Sequence, residues 1–246
     1  MAPLRNDLTG VLPVDKPADW TSHDVVAKIK NVFKLKKIGH AGTLDPMATG
    51  VLVILCGRAT KLSDRLMAEA KTYFFKARFG LITTTQDTSG EILEERAVPN
   101  DLTAEKIKAA LSNFQGEISQ LPPMYSAIKV NGQRLYKLAR RGAEIEREPR
   151  KIFIYSFQLV NFAGNEAAFL CRCSKGTYVR TLAHDLGLAL GCGAALSELR
   201  RTEGGGFTSE EAIPLEEILK WDLETFQEKS ANAYAKISQS SSGKPL

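Results

Sequence analysis

The sequence predicts an α+β fold: a mixed, mainly antiparallel sheet with flanking helices. Three observations carry that expectation. Short β-branched or alternating runs recur along the chain, amphipathic stretches at helical spacing fall between them in irregular order, and two of the strand-like runs meet across a turn as a hairpin. With 246 residues, 43% hydrophobic and 25% charged, the chain can bury a core without disulfides or a structural metal.

The first element, VLPVDKP (11 to 17), reads as a short strand ended by Pro17, and TSHD (21 to 24) fits a capping box that opens a helix. On that helix Val25, Val26, Ile29, Val32 and Phe33 fall on one face, with Lys28, Lys30 and Asn31 between them. VLVIL (51 to 55) is charge-free and bounded by glycines, the pattern of a strand buried on both faces. YFFKARF (73 to 79) alternates, with Tyr73, Phe75, Ala77 and Phe79 on one face and Lys76 and Arg78 on a wet one.

Thr103 can cap a helix whose stripe is Ile107, Ala110, Leu111 and Phe114, ending at Gly116. KIFIYSFQLV (151 to 160) and EAAFLCRC (166 to 173), joined across Ala163-Gly164-Asn165, make the hairpin. Ser174, Lys175 and Gly176 lead into a helix with Val179, Leu182, Ala183, Leu186 and Leu190 on one face, which leaves Arg180 off that stripe. Beyond Leu199 the chain is Gly-rich, then acidic, and ends in SQSSSGKPL. The expected organisation is therefore a domain over residues 1 to 200 and a short appendage over 201 to 246 with a disordered end.

The start, MAPLRNDLTG, lacks a signal-peptide apolar region, and no apolar run approaches the roughly 18 residues of a membrane span. A soluble, cytoplasmic protein is expected, with no membrane association. Cys56, Cys171, Cys173 and Cys192 contain no CxxC pair and read as reduced core residues. The formal charge of +5 is unevenly spread. Lys129 to Lys151 holds eight Lys or Arg against three Glu, whereas Glu203 to Glu228 holds eight acids and one lysine. Clustered cations suit a polyanion, and they equally suit a solvated basic face.

The stretch GHAGTLDPMATGVLVI (39 to 54) carries a single carboxylate, Asp45, in a loop otherwise cleared of charge except for His40. Gly39, Gly42 and Gly50 permit positive φ and close approach, while Pro46 biases Asp45 toward extended geometry. Taken alone, Asp45-Pro46 reads as a turn initiator. A lone carboxylate beside a buried strand also asks for a cationic partner, such as Arg180, and would suit a carboxylate nucleophile. The three histidines show no HxxxH or HExxH spacing, and GxSxG and Walker A sequences are absent, so metal hydrolysis, serine hydrolysis and P-loop phosphoryl transfer lack a motif.

Six blocks together resemble the TruB family of tRNA pseudouridine synthases: VDKPADWTSHDVV, GHAGTLDPMATGVLVI, KTYFFKARFG, PPMYSAIKVNGQRLYKLARRG, SKGTYVRTLAHDLG and LRRTEGGGF. They span roughly residues 11 to 215 in the family's order. The resemblance implies a curved sheet with a central RNA-binding cleft and isomerisation of uridine 55 in the tRNA T-loop, with no cofactor and no metal. It carries the catalytic carboxylate to Asp45, the stacking aromatic to Tyr73, and the arginine that holds the aspartate ionised to Arg180. His40 would fill the space left by the flipped uridine, Leu199 would form pocket wall, and Lys16 would support the first block. Asp87 would buttress the arginine, although Thr84 and Gln86 depart from the family's usual pattern there. The basic segment, with Lys129, Arg140 and Arg141, would contact RNA.

The short tail implies a chain without a full PUA domain, acting as a monomer on the T-arm without an obligatory protein or guide-RNA partner. Another class of function, an RNA chaperone of the tRNA elbow, would keep the basic surface and tolerate loss of Asp45. A guide-RNA-dependent rRNA synthase is the related third possibility.

Overall fold

The computed structural model describes residues 8–126, 128–130, 132–139, 142–143 and 145–239. In chain order the elements are β1 (Gly10–Lys16), α1 (Ser22–Val32), β2 (Ile38–His40), β3 (Thr49–Cys56), α2 (Ser63–Ala68) and β4 (Lys71–Phe79). Then come β5 (Leu81–Thr83), β6 (Ile92–Glu95), α3 (Ala104–Leu111), β7 (Gly116–Gln120), β8 (Lys129–Val130), β9 (Gln133–Arg134) and α4 (Leu135–Ala139). The chain continues through β10 (Arg150–Ala163), β11 (Glu166–Cys173), α5 (Val179–Ala189) and β12 (Ala194–Gly204). It finishes with β13 (Phe207–Thr208), β14 (Ile213–Pro214), α6 (Leu215–Ile218) and α7 (Leu223–Gln239). Two compact units result: one from residues up to Tyr73 together with those from Leu199 on, the other from Phe74 to Glu198.

In the first unit β3 is the central strand. It pairs antiparallel with β1, from Gly10↔Cys56 to Lys16↔Gly50, and with β2, and it pairs parallel with β12 at Arg200↔Thr49 and Arg201↔Gly50. Val51, Val53 and Leu55 enter a cluster with Val11, Leu66, Phe207 and Ile237, while Leu52 and Ile54 point the other way and are equally buried. That is the two-faced burial expected of an uninterrupted apolar run. Thr21 caps α1 in a reciprocal box with Asp24, as the TSHD spacing implies.

Val32 departs from the expected stripe and is 41% exposed. It lies three residues past Ile29, about 60° off that residue's direction, and α1 ends there; Phe33, four residues past Ile29, takes the buried place and stacks on Phe226 of α7 at 4.1 Å. The acidic stretch after Leu199 contains β13, β14, α6 and α7, which periodicity left unassigned. Asp222 Oδ1 accepts the Thr225 amide at 2.8 Å at the start of α7, and α7 runs along β1. The disordered end expected of the chain falls, from residue 240 on, outside the described residues.

In the second unit β4, β11, β10 and β7 are successive neighbours in the sheet. β10 and β11 form the antiparallel hairpin, and β7 pairs antiparallel with β10 from Arg150↔Gln120 to Ile154↔Gly116. Phe75, Phe157 and Phe169 meet with ring centroids 5.1 to 5.8 Å apart and form the aromatic centre of this unit. All four cysteines are buried, and none forms a disulfide among the described residues. No described helix is long and apolar enough to cross a membrane.

Candidate active site

The loop between β2 and β3 is fixed from four sides within the first unit. After His40 the Ala41 amide bonds to the Val53 carbonyl at 2.9 Å, and a turn at Asp45 closes through the Ala48 amide on the Asp45 carbonyl at 3.1 Å. Ser22, in the first turn of α1, holds Leu44 at both ends: its hydroxyl accepts the Leu44 amide at 2.8 Å and donates to the Leu44 carbonyl at 3.1 Å. The Asp19 amide donates to the Pro46 carbonyl at 2.9 Å. Asp45 itself is half-buried between these two anchors.

Lys16 is the third anchor. Its side chain is 0% exposed, and Nζ donates to the carbonyls of Trp20 (2.6 Å), Pro17 (2.8 Å) and Pro46 (3.0 Å). Three carbonyls match the three protons of an ammonium. Burial pushes the Lys16 pKa down to about 8; the carboxylates of Asp19 and Asp45 push it back up, and Arg201 pushes it down. Lys16 thereby ties the end of β1 to the residue after Asp45.

Arg201 is the fourth anchor, and sequence reasoning missed it. Buried on β12, it donates from Nε to the Val51 carbonyl at 2.6 Å and from Nη2 to the Gly42 carbonyl at 3.1 Å. The same strand crosses β3 so closely at Gly50 (φ +94°) that a Cβ there would lie 2.2 Å from the Arg201 carbonyl oxygen. Only glycine fits. Next to it, Arg200 grips Asp15 in a two-pronged pair at 2.8 and 3.0 Å. The LRRT block was quoted for Leu199 alone. A guanidinium spent on backbone carbonyls leaves no partner residue to find in the sequence.

His40 is half-buried at the end of β2, with Nδ1 buried and unpartnered among the described residues. Burial first, then Arg201 and His23, push its pKa below the usual 6.5. The unfolded chain therefore takes up a proton at this site at higher pH than the fold does, and stability contributed by neutral His40 is lost as pH falls below about 6.5. Thermal melts between pH 7 and 5 should show a shallower acid loss in His40→Gln than in the parent protein.

Tyr73 is half-buried near the start of β4, and Leu199 is buried on β12. Thr202 donates to the Thr72 carbonyl at 3.2 Å and Thr72 donates to Glu203 at 2.7 Å, which holds these strands together. Around the loop's unit, seven cations between Val25 and Ser63 are exposed: Lys28, Lys30, Lys34, Lys36, Lys37, Arg58 and Lys61, against Asp45 as the single acid. The Gly57 amide bonds to the Lys37 carbonyl at 2.9 Å and brings Lys37 beside Arg58. Of this surface, Lys28 and Lys30 were visible in the sequence as the polar side of α1, and the junction of Lys37 with Arg58 needed the fold.

The second unit carries Arg180 and Asp87. Arg180 lies off the apolar stripe of α5, as expected, yet it is only 4% exposed. Nη1 donates to the Thr85 carbonyl at 2.9 Å and Nη2 to the Tyr125 carbonyl at 2.8 Å, with Asp87 Oδ2 at 3.6 Å from Nη1. Asp87 is also buried and accepts the Thr85 hydroxyl at 2.7 Å, the Ser89 amide at 3.1 Å and the Ser89 hydroxyl. Gln86 adopts φ +64° and accepts the Thr181 hydroxyl at 2.7 Å. The start of α5 is set by Gln120, which accepts the Tyr178 amide at 2.8 Å and donates to its carbonyl at 3.1 Å. Gln120 had no signal in the sequence, because it grips the backbone of a residue 58 positions away, and Gln86, marked there only as a departure from the family's pattern, meets a hydroxyl 95 positions away. The Lys129 side chain, Arg140 and Arg141 lie outside the described residues.

Residues 30–179 match the TruB family pseudouridylate synthase N-terminal domain, and residues 180–236 the tRNA pseudouridylate synthase B C-terminal domain. The tRNA pseudouridine synthase B of Opitutus terrae is 49% identical over 94% of this chain and 95% of its own length. That of Clostridium tetani is 46% identical over 94% of this chain and 80% of its own. Among solved structures, the crystal structure of a Cbf5-Nop10-Gar1 complex matches with a TM-score of 0.70 and 31% identity over 94% of this chain. The archaeal box H/ACA sRNP Nop10-Cbf5 complex matches at 0.67 and 30% over 93%. This chain spans 60% of each of those two solved chains. The mixed, mostly antiparallel α+β fold is that of the pseudouridine synthases, and the chain belongs to the TruB family.

Proposed function

We propose that this protein isomerises uridine to pseudouridine in tRNA, at uridine 55 of the T-loop, as a stand-alone cytoplasmic monomer that needs neither a guide RNA nor a protein partner. The observation that carries this reading is the rigid mounting of Asp45: a half-buried carboxylate flanked by Leu44, held by Ser22, and Pro46, held by Lys16 and the Asp19 amide. Catalysis that depends on placing one carboxylate against a sugar or a base gains most from such fixed geometry.

The reaction breaks the bond from the sugar C1′ to N1 of the base and makes one from C1′ to C5. N1 gains a proton and C5 loses one, so atoms balance without a cofactor. Asp45 either adds to the pyrimidine ring or promotes departure of the base from the sugar. The uridine must leave its stack first, at a cost of a few kcal/mol. Tyr73 offsets that cost by stacking on the base, His40 occupies the vacated place in the RNA, and Leu199 walls the pocket. Arg180 keeps the Asp45 carboxylate ionised, with Asp87 holding the guanidinium. The exposed cations from Lys28 to Lys61, with Lys129, Arg140 and Arg141, meet the phosphates.

The experiment is tritium release from a T-arm hairpin labelled at uridine C5, with protein alone. Release at a rate that scales with protein supports the reading; its absence removes it. Arg180→Ala should lower turnover far more than hairpin affinity. It should also lower the melting temperature, because Asp87 is left buried beside no cation. Arg180→Lys keeps a charge but not the two-pronged reach to Thr85 and Tyr125. Unchanged turnover in both variants would take Arg180 out of the chemistry.

A further inference from the structure

The hairpin of β10 and β11 has two faces of unlike chemistry. Ile152, Ile154, Phe157, Phe169 and Cys171 are buried on one, where Phe114 meets Phe157 edge-on. Alternation sends Phe153 and Tyr155 to the other, where they are 42% and 52% exposed. Their ring centroids are 5.0 Å apart, and the Arg172 guanidinium of β11 lies over the Tyr155 ring, 5.6 Å from its centroid.

Around this pair the exposed charges are mostly positive: Lys151, Arg172 and Lys175. Glu117, the exposed carboxylate of β7 opposite Phe153, is already paired with Lys151 at 2.8 Å. A single exposed aromatic is ordinary on any protein surface. Two adjacent ones on an open sheet face, with a guanidinium stacked on one ring and exposed cations at the margin, combine what unpaired nucleobases and their phosphates require. An apolar protein partner would not call for those cations.

We propose that this outer face of β10 and β11 is a second RNA-contact surface, in which Phe153 and Tyr155 stack unpaired bases while Arg172 and Lys175 meet the phosphates. It lies on the side of the hairpin away from Phe157 and Phe169, and it takes from the proposed function only that RNA is the polyanion this protein meets. Bases bound here are recognised by their flat faces, so the preference is for single strands without a fixed sequence.

The test uses the full chain, saturated with unlabelled T-arm hairpin, and a fluorescent oligouridylate of about twelve nucleotides read by anisotropy. Phe153→Ala/Tyr155→Ala should weaken oligouridylate binding about tenfold or more, whereas the swap Phe153→Tyr/Tyr155→Phe should stay within about twofold. Arg172→Gln should weaken binding and flatten its salt dependence. Tritium release from the hairpin should be the same in all of them, and its absence in the parent would strike at the proposed function rather than at this surface. Unchanged affinity in a double alanine variant that melts with the parent overturns the proposal, as does failure of the parent–hairpin complex to bind the oligomer. Should the double variant not fold, a 4-thiouridine oligomer crosslinked to the parent decides. A crosslink within residues 150 to 175 supports the surface, and crosslinks only elsewhere overturn it.

Discussion

Asp45→Asn is expected to abolish tritium release, by at least about four orders of magnitude, the scale on which removal of a nucleophile or its activating carboxylate is felt. The replacement is nearly isosteric. The turn survives, since it closes through the Asp45 carbonyl on the Ala48 amide, and Leu44 and Pro46 keep their anchors. Hairpin affinity should therefore change by no more than about threefold, because the exposed cations are untouched. Parallel measurements of binding and release separate the readings. Loss of release with intact binding places Asp45 in the chemistry. Release that persists in the variant takes Asp45 out of it. Binding without release in parent and variant alike would make the protein an RNA chaperone of the elbow.

Lys16→Met should be the most damaging change that touches no part of the RNA. Methionine fills similar volume but donates nothing, so the carbonyls of Pro17 and Trp20 lose this donor; Pro46 retains the Asp19 amide. A hydrogen bond to a charged group contributes about 1.5–3 kcal/mol, partly offset because a buried charge is also removed, and a net loss of about 1–3 kcal/mol is expected. Denaturant midpoints measure it. Turnover should fall as well, with hairpin affinity preserved, because the tie between β1 and the residue after Asp45 is gone. A variant as stable and as active as the parent would show the three hydrogen bonds to be dispensable. The melts also carry a pH signature. The unfolded chain keeps this lysine's proton up to about 10.5 and the fold only up to about 8, so this group's contribution to stability rises with pH across that window. The rise should be missing in Lys16→Met.

How much of this was legible in the sequence follows the reach of each interaction. Strands and helices that declare themselves by period were readable: the buried run of β3, the alternation of β4, the capping box of α1 and the hairpin of β10 and β11. Asp45 stood out because its loop is otherwise nearly uncharged. Val32 misled, since a stripe drawn on paper ignores where the helix stops. The tail was unread because acidic composition masked the spacing of Phe226, Ser230 and Ile237, the buried positions of α7. The supports that grip backbone, Ser22 and Arg201 on the loop and Gln120 at the start of α5, were hardest. Ser22, Arg201 and Gln120 act on backbone atoms, which every residue has, so side-chain chemistry alone could not announce their partners.

The grip of Arg201 on Val51 joins positions 150 residues apart, and Gly50 meets the same strand. During synthesis β1, α1 and β3 leave the ribosome long before β12 does. The Asp45 loop is thus a half-finished clasp throughout translation of the whole second unit, and it locks only when the chain returns from Glu198 to Leu199. A nascent chain halted anywhere before Arg201 has the aspartate and the anchors of Ser22, Lys16 and Asp19 but lacks the fourth, so activity should appear late and abruptly, as the last turn of a key rather than in proportion to length.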